Sequence, residues 1–432
     1  MSSVNKGFFK ERKSAKKDLF PDTFDPKKRL DLLTDEIAKS GIETFFGKKV
    51  GSKGLIRDIN ERIVLEEIIE KAPVSRADLS KISGLTKATI SSIVQTLIDR
   101  GLVIETGSGD TIIGRKPTLI NLNRSAGVSL SLDLRKSKIS LLAADLSGSK
   151  LFKKDLEPVN VTESDITRTV IEFIESSMGL LPETKYGVIG ISVAIHGIVN
   201  KNTFVFSPHY KIPRKSFVKD ISEHFGTPVT ILNDANLGAL GEKTFSKRSN
   251  NIAFLEVDEG IGLGLFIGGR LYTGMTGGAG EIGHTSIEHN GLPCLCGNKG
   301  CLEKYASVKA LLEELARKKG KDKITFHEFL DLYEREDPDA LYITDSFAGY
   351  MATTVTNIIN MCNPEVIILN CAFTWFYPEI LEKIKAKMPP MLNPINNLCL
   401  SRFRNCAILL GGAYVNIVNF LRIENFNPPL AS

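Results

Sequence analysis

A chain of 432 residues exceeds what one ordinary hydrophobic core accommodates, so two or three domains are expected. Its 24% charged and 42% hydrophobic residues are those of a soluble globular protein. No apolar run reaches the roughly 18 residues of a membrane span, and the basic N-terminus lacks the apolar stretch of a secretory signal, so a cytoplasmic protein with no membrane partner is expected. A net charge of +5 permits nucleic-acid binding without demonstrating it.

Residues 1–52 mix basic clusters (Lys16, Lys17, Lys27, Lys28, Arg29, Lys48, Lys49) with one weakly amphipathic stretch, and read as a flexible or loosely docked arm. Residues 53–123 read as a compact winged helix-turn-helix. A first helix carries Ile59, Ile63 and Ile68 at helical spacing, Ser75 caps a second, and Gly84 turns the chain into a third capped by Thr86. On that third helix Ile90, Ile93, Val94, Leu97 and Ile98 form an apolar stripe. Lys87, Thr89, Ser91, Ser92 and Gln95 are left facing outward, a short and acid-poor face suited to a major groove. Two β-runs around a Gly-rich tip then form a wing whose Arg115 and Lys116 suit phosphates or a minor groove. A small protein-interaction domain is the plainer alternative for this unit.

From residue 124 to the end, strands and helices alternate: VSLSLDL, KISLLAADL, a helix across ITRTVIEFIESSM, YGVIGISVAI and PVTILND, then NIAFLEV, GIGLGLFIGGRLY and EVIILN. This is an α/β region with no solenoid-length repeat. Seven cysteines is an odd number, and three of them fall within eight residues, which suits metal-binding thiolates better than disulfides and implies a reducing compartment. GGAGEIGH followed by CLCGNKGCLE supplies His284, Cys294, Cys296 and Cys301, a Cys₃His set of the kind that closes around a structural zinc ion and leaves no open position for catalysis.

These motifs, with the NDAN tetrad at 233–236 and a reader ending in GRKP, resemble the ROK group of repressors, open reading frames and sugar kinases. Within it the chain is most similar to winged-helix repressors of the xylose and N-acetylglucosamine type, over about residue 55 to the C-terminus. The resemblance implies a two-lobed, actin-like, sugar-kinase-like domain over residues 124–432, with lobe one at about 124–235 plus a C-terminal helix from about 412, and lobe two at about 236–411. It carries sugar contacts onto Gly197, Asn233, Asp234, Glu281, His284 and Glu303, with Asp234 at the kinase-base position and His196 where the family has proline.

The nucleotide side departs from the family pattern in three places. The kinase DxGGT is Asp133-Leu134-Arg135-Lys136-Ser137, GTGxG is Asp258-Glu259-Gly260-Ile261-Gly262, and the three glycines after NPEVIVL are Asn370-Cys371-Ala372. Phosphate cradles need bare backbone amides and tolerate added carboxylates poorly. The expectation is therefore a sugar-responsive DNA-binding repressor of carbohydrate-utilisation genes with no catalytic residue at work, binding double-stranded operator DNA, a sugar or sugar-phosphate effector and Zn2+, and pairing as a homodimer or larger assembly. Arg135 and Lys136 read either as a hint of a phosphorylated effector or as solvated turn residues. The rival readings are an ATP-dependent sugar kinase carrying a DNA-binding domain, which the intact Asp234 favours, and a vestigial pocket controlled by a protein partner.

Overall fold

The structure, a computed structural model, describes residues 53–108, 117–161, 165–207, 216–246, 249–390 and 398–428. The basic arm, Arg115 and Lys116 lie outside these. The reader comprises α1 (Lys53–Lys71), β1 (Val74–Ser75), α2 (Arg76–Ser83), α3 (Lys87–Asp99), β2 (Val103–Ser108) and β3 (Thr118–Leu122), with a small antiparallel sheet in the order β1-β3-β2. Ser75 and Thr86 accept hydrogen bonds from the amides of Asp78 and Thr89, so both expected caps form, and Gly84 turns at a φ of 70°. One expectation fails in α1. Ile59 and Ile63 are exposed, and of the expected stripe only Ile68 is buried, on a face it shares with Val64, Leu65 and Ile69.

Beyond the reader, one mixed five-stranded sheet has the order β10-β7-β4-β5-β6, built from β4 (Val128–Arg135), β5 (Lys138–Ala144), β6 (Lys150–Leu156), β7 (Val188–Ile195) and β10 (Val229–Asn233). Its central strands β4 and β7 are parallel and buried on both faces except at Arg135 and Val188, so that Ser129, Ser131 and Asp133, which alternate with the apolar residues of β4, are buried too. β6, KLFKKDL, is the lysine-bearing edge strand that periodicity did not mark. A hairpin of β8 (Ile198–Asn200) and β9 (Thr203–Phe206) follows β7, and α4 (Ile166–Met178) and α5 (Phe217–Phe225) complete this lobe.

The second sheet has the order β13-β12-β11-β14-β15, from β11 (Ile252–Val257), β12 (Ile261–Ile267), β13 (Arg270–Leu271), β14 (Val366–Cys371) and β15 (Leu398–Leu400). Its helices are α7 (Glu303–Ala306), α8 (Val308–Lys319), α9 (Phe326–Glu334), α10 (Pro338–Cys362), α11 (Ala372–Phe376) and α12 (Glu379–Ala386). The α/β, reader-plus-two-lobe architecture expected from the sequence is the one observed. Among the described residues no helix is long and apolar enough to cross a membrane.

Two helices join the lobes: α6 (Asp234–Ser246), which follows β10 directly, and α13 (Ala407–Leu421). They cross almost backbone to backbone. A Cβ built on Gly411 would lie 1.8 Å from the Leu237 carbonyl oxygen, and one on Gly241 would lie 2.1 Å from that of Ala407. The C-terminal helix thus begins at Ala407, before the expected residue 412, because its first turn already belongs to the crossing. Asn416 ties α13 to the first sheet, donating from Nδ2 to the Leu130 carbonyl at 2.8 Å and to Ser129 Oγ at 2.9 Å.

The crossing separates two kinds of helical glycine. Gly411→Ala sets a methyl against backbone that cannot rotate away and should cost about 1–3 kcal/mol or more, whereas Gly349→Ala on α10, which meets nothing within 4 Å, should stabilise by about 1 kcal/mol. Urea unfolding of the two variants checks the opposite signs.

Candidate functional site

The strand-to-helix junction at the end of β10 positions the first group. Asn233 Oδ1 accepts from the Asn236 amide at 3.0 Å, and its Nδ2 donates to the Gly197 carbonyl at 3.1 Å and to Asp234 Oδ1 at 3.0 Å. Gly197 must be bare, because a Cβ there would lie 2.4 Å from the Phe206 carbonyl oxygen. Asp234 is 7% exposed and opens α6, where the helix N-terminus favours a negative charge.

Glu281 and Glu303 complete the acidic side. Partial burial, reinforced by the carboxylates of Asp234 and Glu303, pushes Glu281 up to about 7. The structure therefore brings Gly197, Asn233 and Asp234 from one lobe into the same neighbourhood as Glu281, His284 and Glu303 from the other. Carboxylates and amides in such a cluster are the usual partners of sugar hydroxyls.

His284 faces two ways. Its Nδ1 lies 3.6 Å from Cys294 Sγ, while Nε2 lies 3.9 Å from Glu281. Nδ1 also lies 3.6 Å from Glu303, whose Oε1 accepts from Cys294 Sγ at 3.0 Å, so the imidazole stands between the thiols and the acidic residues Glu281 and Glu303. Cys296 and Cys301 complete the group with sulfurs 3.7 Å apart, and the ligand atoms of all four residues lie within 4.8 Å of one another. They form a cluster able to hold a metal ion.

On the reader, Lys87, Ser91, Ser92 and Gln95 are exposed on α3. Thr89 is half-buried, with its hydroxyl 2.9 Å from that of Thr86, so it supports the helix cap more than an open face. Gln95 donates to Asp99 at 2.9 Å. Sequence reasoning missed how the reader is seated. Its core is continuous with Leu146, Ile189, Ile417, Leu421, Ile423 and Phe426, so the end of α13 and the residues after it pack inside the reader's own hydrophobic cluster. Tyr186 donates to the Arg100 carbonyl at 2.7 Å and Lys185 to that of Asp99 at 3.1 Å, which holds the C-terminal end of α3. Glu66 accepts from the amides of Glu424 and Asn425 at 2.7 and 3.1 Å.

The family model described as ROK family matches residues 129–413, two thirds of the chain and both lobes. The chain belongs to the ROK family. A MarR family model matches residues 58–111, the reader. The chain is 36% identical over 385 residues to the xylose repressor of Bacillus spizizenii, covering 87% of this chain and 99% of that protein. It is 34% identical over 343 residues to the xylose repressor of Bacillus subtilis, covering 78% and 88%. A solved ROK family transcriptional regulator, described as a homolog of the E. coli MLC protein, superposes with a TM-score of 0.69 at 28% identity, over 85% of this chain and 97% of its own. A ROK family glucokinase from Streptomyces griseus, in complex with glucose and AMPPNP, superposes with a TM-score of 0.61 at 22% identity over 67% and 99%, and shares the fold alone.

Against the ROK kinase pattern, the altered nucleotide segments converge in space. Arg135 is no solvated turn residue. It pairs with Asp133 at 2.8 Å, with Asp258, and with Glu256 at 3.4 Å, whereas Lys136 is exposed. His196, at the ROK proline position, offers Nε2 to Asp133 at 2.8 Å and Nδ1 to Asp234 at 3.0 Å. Asn370 Nδ2 donates to Glu256 at 2.5 Å. Burial opposes ionisation of Asp133, but Arg135 and His196 outweigh it and hold the carboxyl well below the ordinary range. Burial pushes Glu256 up to about 8 against the pull of Arg135 and Asn370.

Glu256 has a measurable consequence. The folded chain retains a proton there that the unfolded chain releases near the ordinary value of 4.5, so its contribution to stability declines as pH rises from about 4.5 through about 8. Urea unfolding at pH 5 and pH 8 should show a smaller loss of stability for Glu256→Gln than for the wild type, and an equal loss would contradict the protonated carboxyl.

Proposed function

We propose that this ROK family member is a sugar-responsive DNA-binding repressor with xylose as its effector, zinc as a structural ion, and the kinase fold kept for binding without phosphoryl transfer. The observation that carries the reading is that Asp234, Glu281 and Glu303 form an acidic cluster, while Arg135, at a position where the kinase pattern has glycine, pairs with Asp133 and Asp258. The relatives named xylose repressor, one of them covered over 99% of its length, support both the repressor and the sugar. Asp234 then serves as a hydrogen-bond acceptor for a sugar hydroxyl, a role that needs no proton transfer to a reacting group.

Three thiols and an imidazole suit zinc. With Zn–S bonds of about 2.3 Å a tetrahedron has sulfur–sulfur edges of about 3.8 Å, and the contacts of 3.7 and 3.6 Å within the cluster support that size. His284, Cys294, Cys296 and Cys301 would hold the ion, which supplies no chemistry but cross-links the loop bearing Glu281 and Glu303. Lys87, Ser91, Ser92 and Gln95 would enter the major groove, Thr89 would support them, Arg115 and Lys116 would follow the backbone, and a pair of chains would read a palindromic operator. Coupling would run through α6, which begins at the sugar-binding Asp234, across the glycine crossing to α13, and from Leu421 and Phe426 into the reader core.

Saturating D-xylose should raise the melting temperature of the wild type, since a ligand at a hundredfold excess over Kd stabilises by about 2.7 kcal/mol. Asp234→Asn should abolish that rise and operator release while keeping operator affinity. Stabilisation by magnesium-ATP with xylose consumed would restore the kinase reading. Cys296→Ser should lose zinc by elemental analysis, melt earlier and respond poorly to xylose before its operator affinity falls. An unimpaired response without zinc would count against the structural ion. On DNA, Lys87→Ala should weaken binding across all sequences and lower the salt slope by about one. Gln95→Ala should cost about 1–3 kcal/mol at the operator alone.

A further inference from the structure

Arg135 belongs to β4 of the first sheet, as does Asp133, whereas Glu256 and Asp258 belong to β11 and the turn after it in the second. The guanidinium therefore ties one lobe to the other at the back of the cleft, with a quarter of its side chain or less exposed. What remains beside it is a cavity of about 140 Å³, below the roughly 300–1,000 Å³ of pockets that admit cofactors. Asp133 is shared. Its Oδ2 accepts from Arg135 Nε at 2.8 Å, and its Oδ1 faces His196 Nε2 at 2.8 Å, with His196 Nδ1 in turn 3.0 Å from Asp234. One continuous run of polar contacts, Asp234–His196–Asp133–Arg135–Asp258, leads from the pocket to the facing lobe.

We propose that Arg135 and His196 form an internal latch: Arg135 holds the two lobes together where a nucleotide would otherwise bridge them, and His196 ties that closure to the state of Asp234. The clause on Asp234 rests on the sugar reading above, whereas the closure itself does not. A buried guanidinium loses hydration, and opening the cleft would strip it of Asp258 while Asp133 remains. The lobes are thus held near their closed arrangement before any ligand arrives, and a sugar binds a preorganised cleft.

The test uses the full chain without ligand. Asp258→Asn removes only the partner on the second lobe, and Arg135→Gln removes the bridge; each is first shown to melt cooperatively, and either one that folds decides. Small-angle X-ray scattering should give a larger radius of gyration than the wild type, and hydrogen exchange of peptides around 133–137 and 256–260 should accelerate by about tenfold with the reader peptides unchanged. Identical scattering and exchange would overturn the latch. In a second arm, calorimetry with D-xylose should show about tenfold weaker binding in either variant and in His196→Phe, and unchanged affinity in His196→Phe would overturn the tie to Asp234. If the wild type binds no D-xylose, the effector assignment fails while the ligand-free measurement still judges the closure.

Discussion

The near-contact of α6 with α13 governs the rest of the molecule. Helices with ordinary side chains at a crossing keep their axes 8–10 Å apart, but here Gly241 and Gly411 let carbonyl oxygens occupy the space of a methyl group. Each helix is committed elsewhere as well. Glu242 on α6 accepts from Ser401 Oγ at 2.6 Å and the Arg402 amide at 2.8 Å, beside the second sheet, and Asn416 on α13 bonds the first. A shift of one lobe must therefore pass through a junction with almost no slack. Asp234 stands at one end of this junction and the reader core at the other.

Charge is distributed with the same economy. The cleft of a nucleotide-binding fold leaves acids facing one another across two lobes, an arrangement that repels unless a cation intervenes. In this chain the cation is a side chain. Arg135 lies against Asp133, Asp258 and Glu256, His196 bridges Asp133 and Asp234, and burial raises Glu256. Further acidic groups gather at Asp234, Glu281 and Glu303, where burial and the neighbouring carboxylates raise Glu281.

His284 joins the acidic cluster to the cysteines, since its Nδ1 lies beside both Cys294 and Glu303 and its Nε2 faces Glu281. Glu281 and Glu303 flank the segment that carries His284, Cys294, Cys296 and Cys301, residues able to hold a metal ion.

Much of the site was legible before any fold was known. NDAN, GEIGH and the CxC…C spacing are local patterns whose chemistry depends on residue type and short separations, as do the caps at Ser75 and Thr86. The departures at Arg135, Asp258 and Asn370 were equally visible one by one. Their meeting was not, because contacts between residues 121 and 123 positions apart are made through space and leave no periodic trace. The same holds for Ile59 and Ile63, apolar residues whose exposure only the packed reader decides, and for Leu421 and Phe426, which lie at the far end of the chain and complete the reader's core. The amino-acid sequence by itself determined which chemical groups the protein owns and the local geometry of its helices and turns, through propensity and spacing. Tertiary structure alone decided which of those groups share a cleft, because burial and charge pairing depend on distances through space.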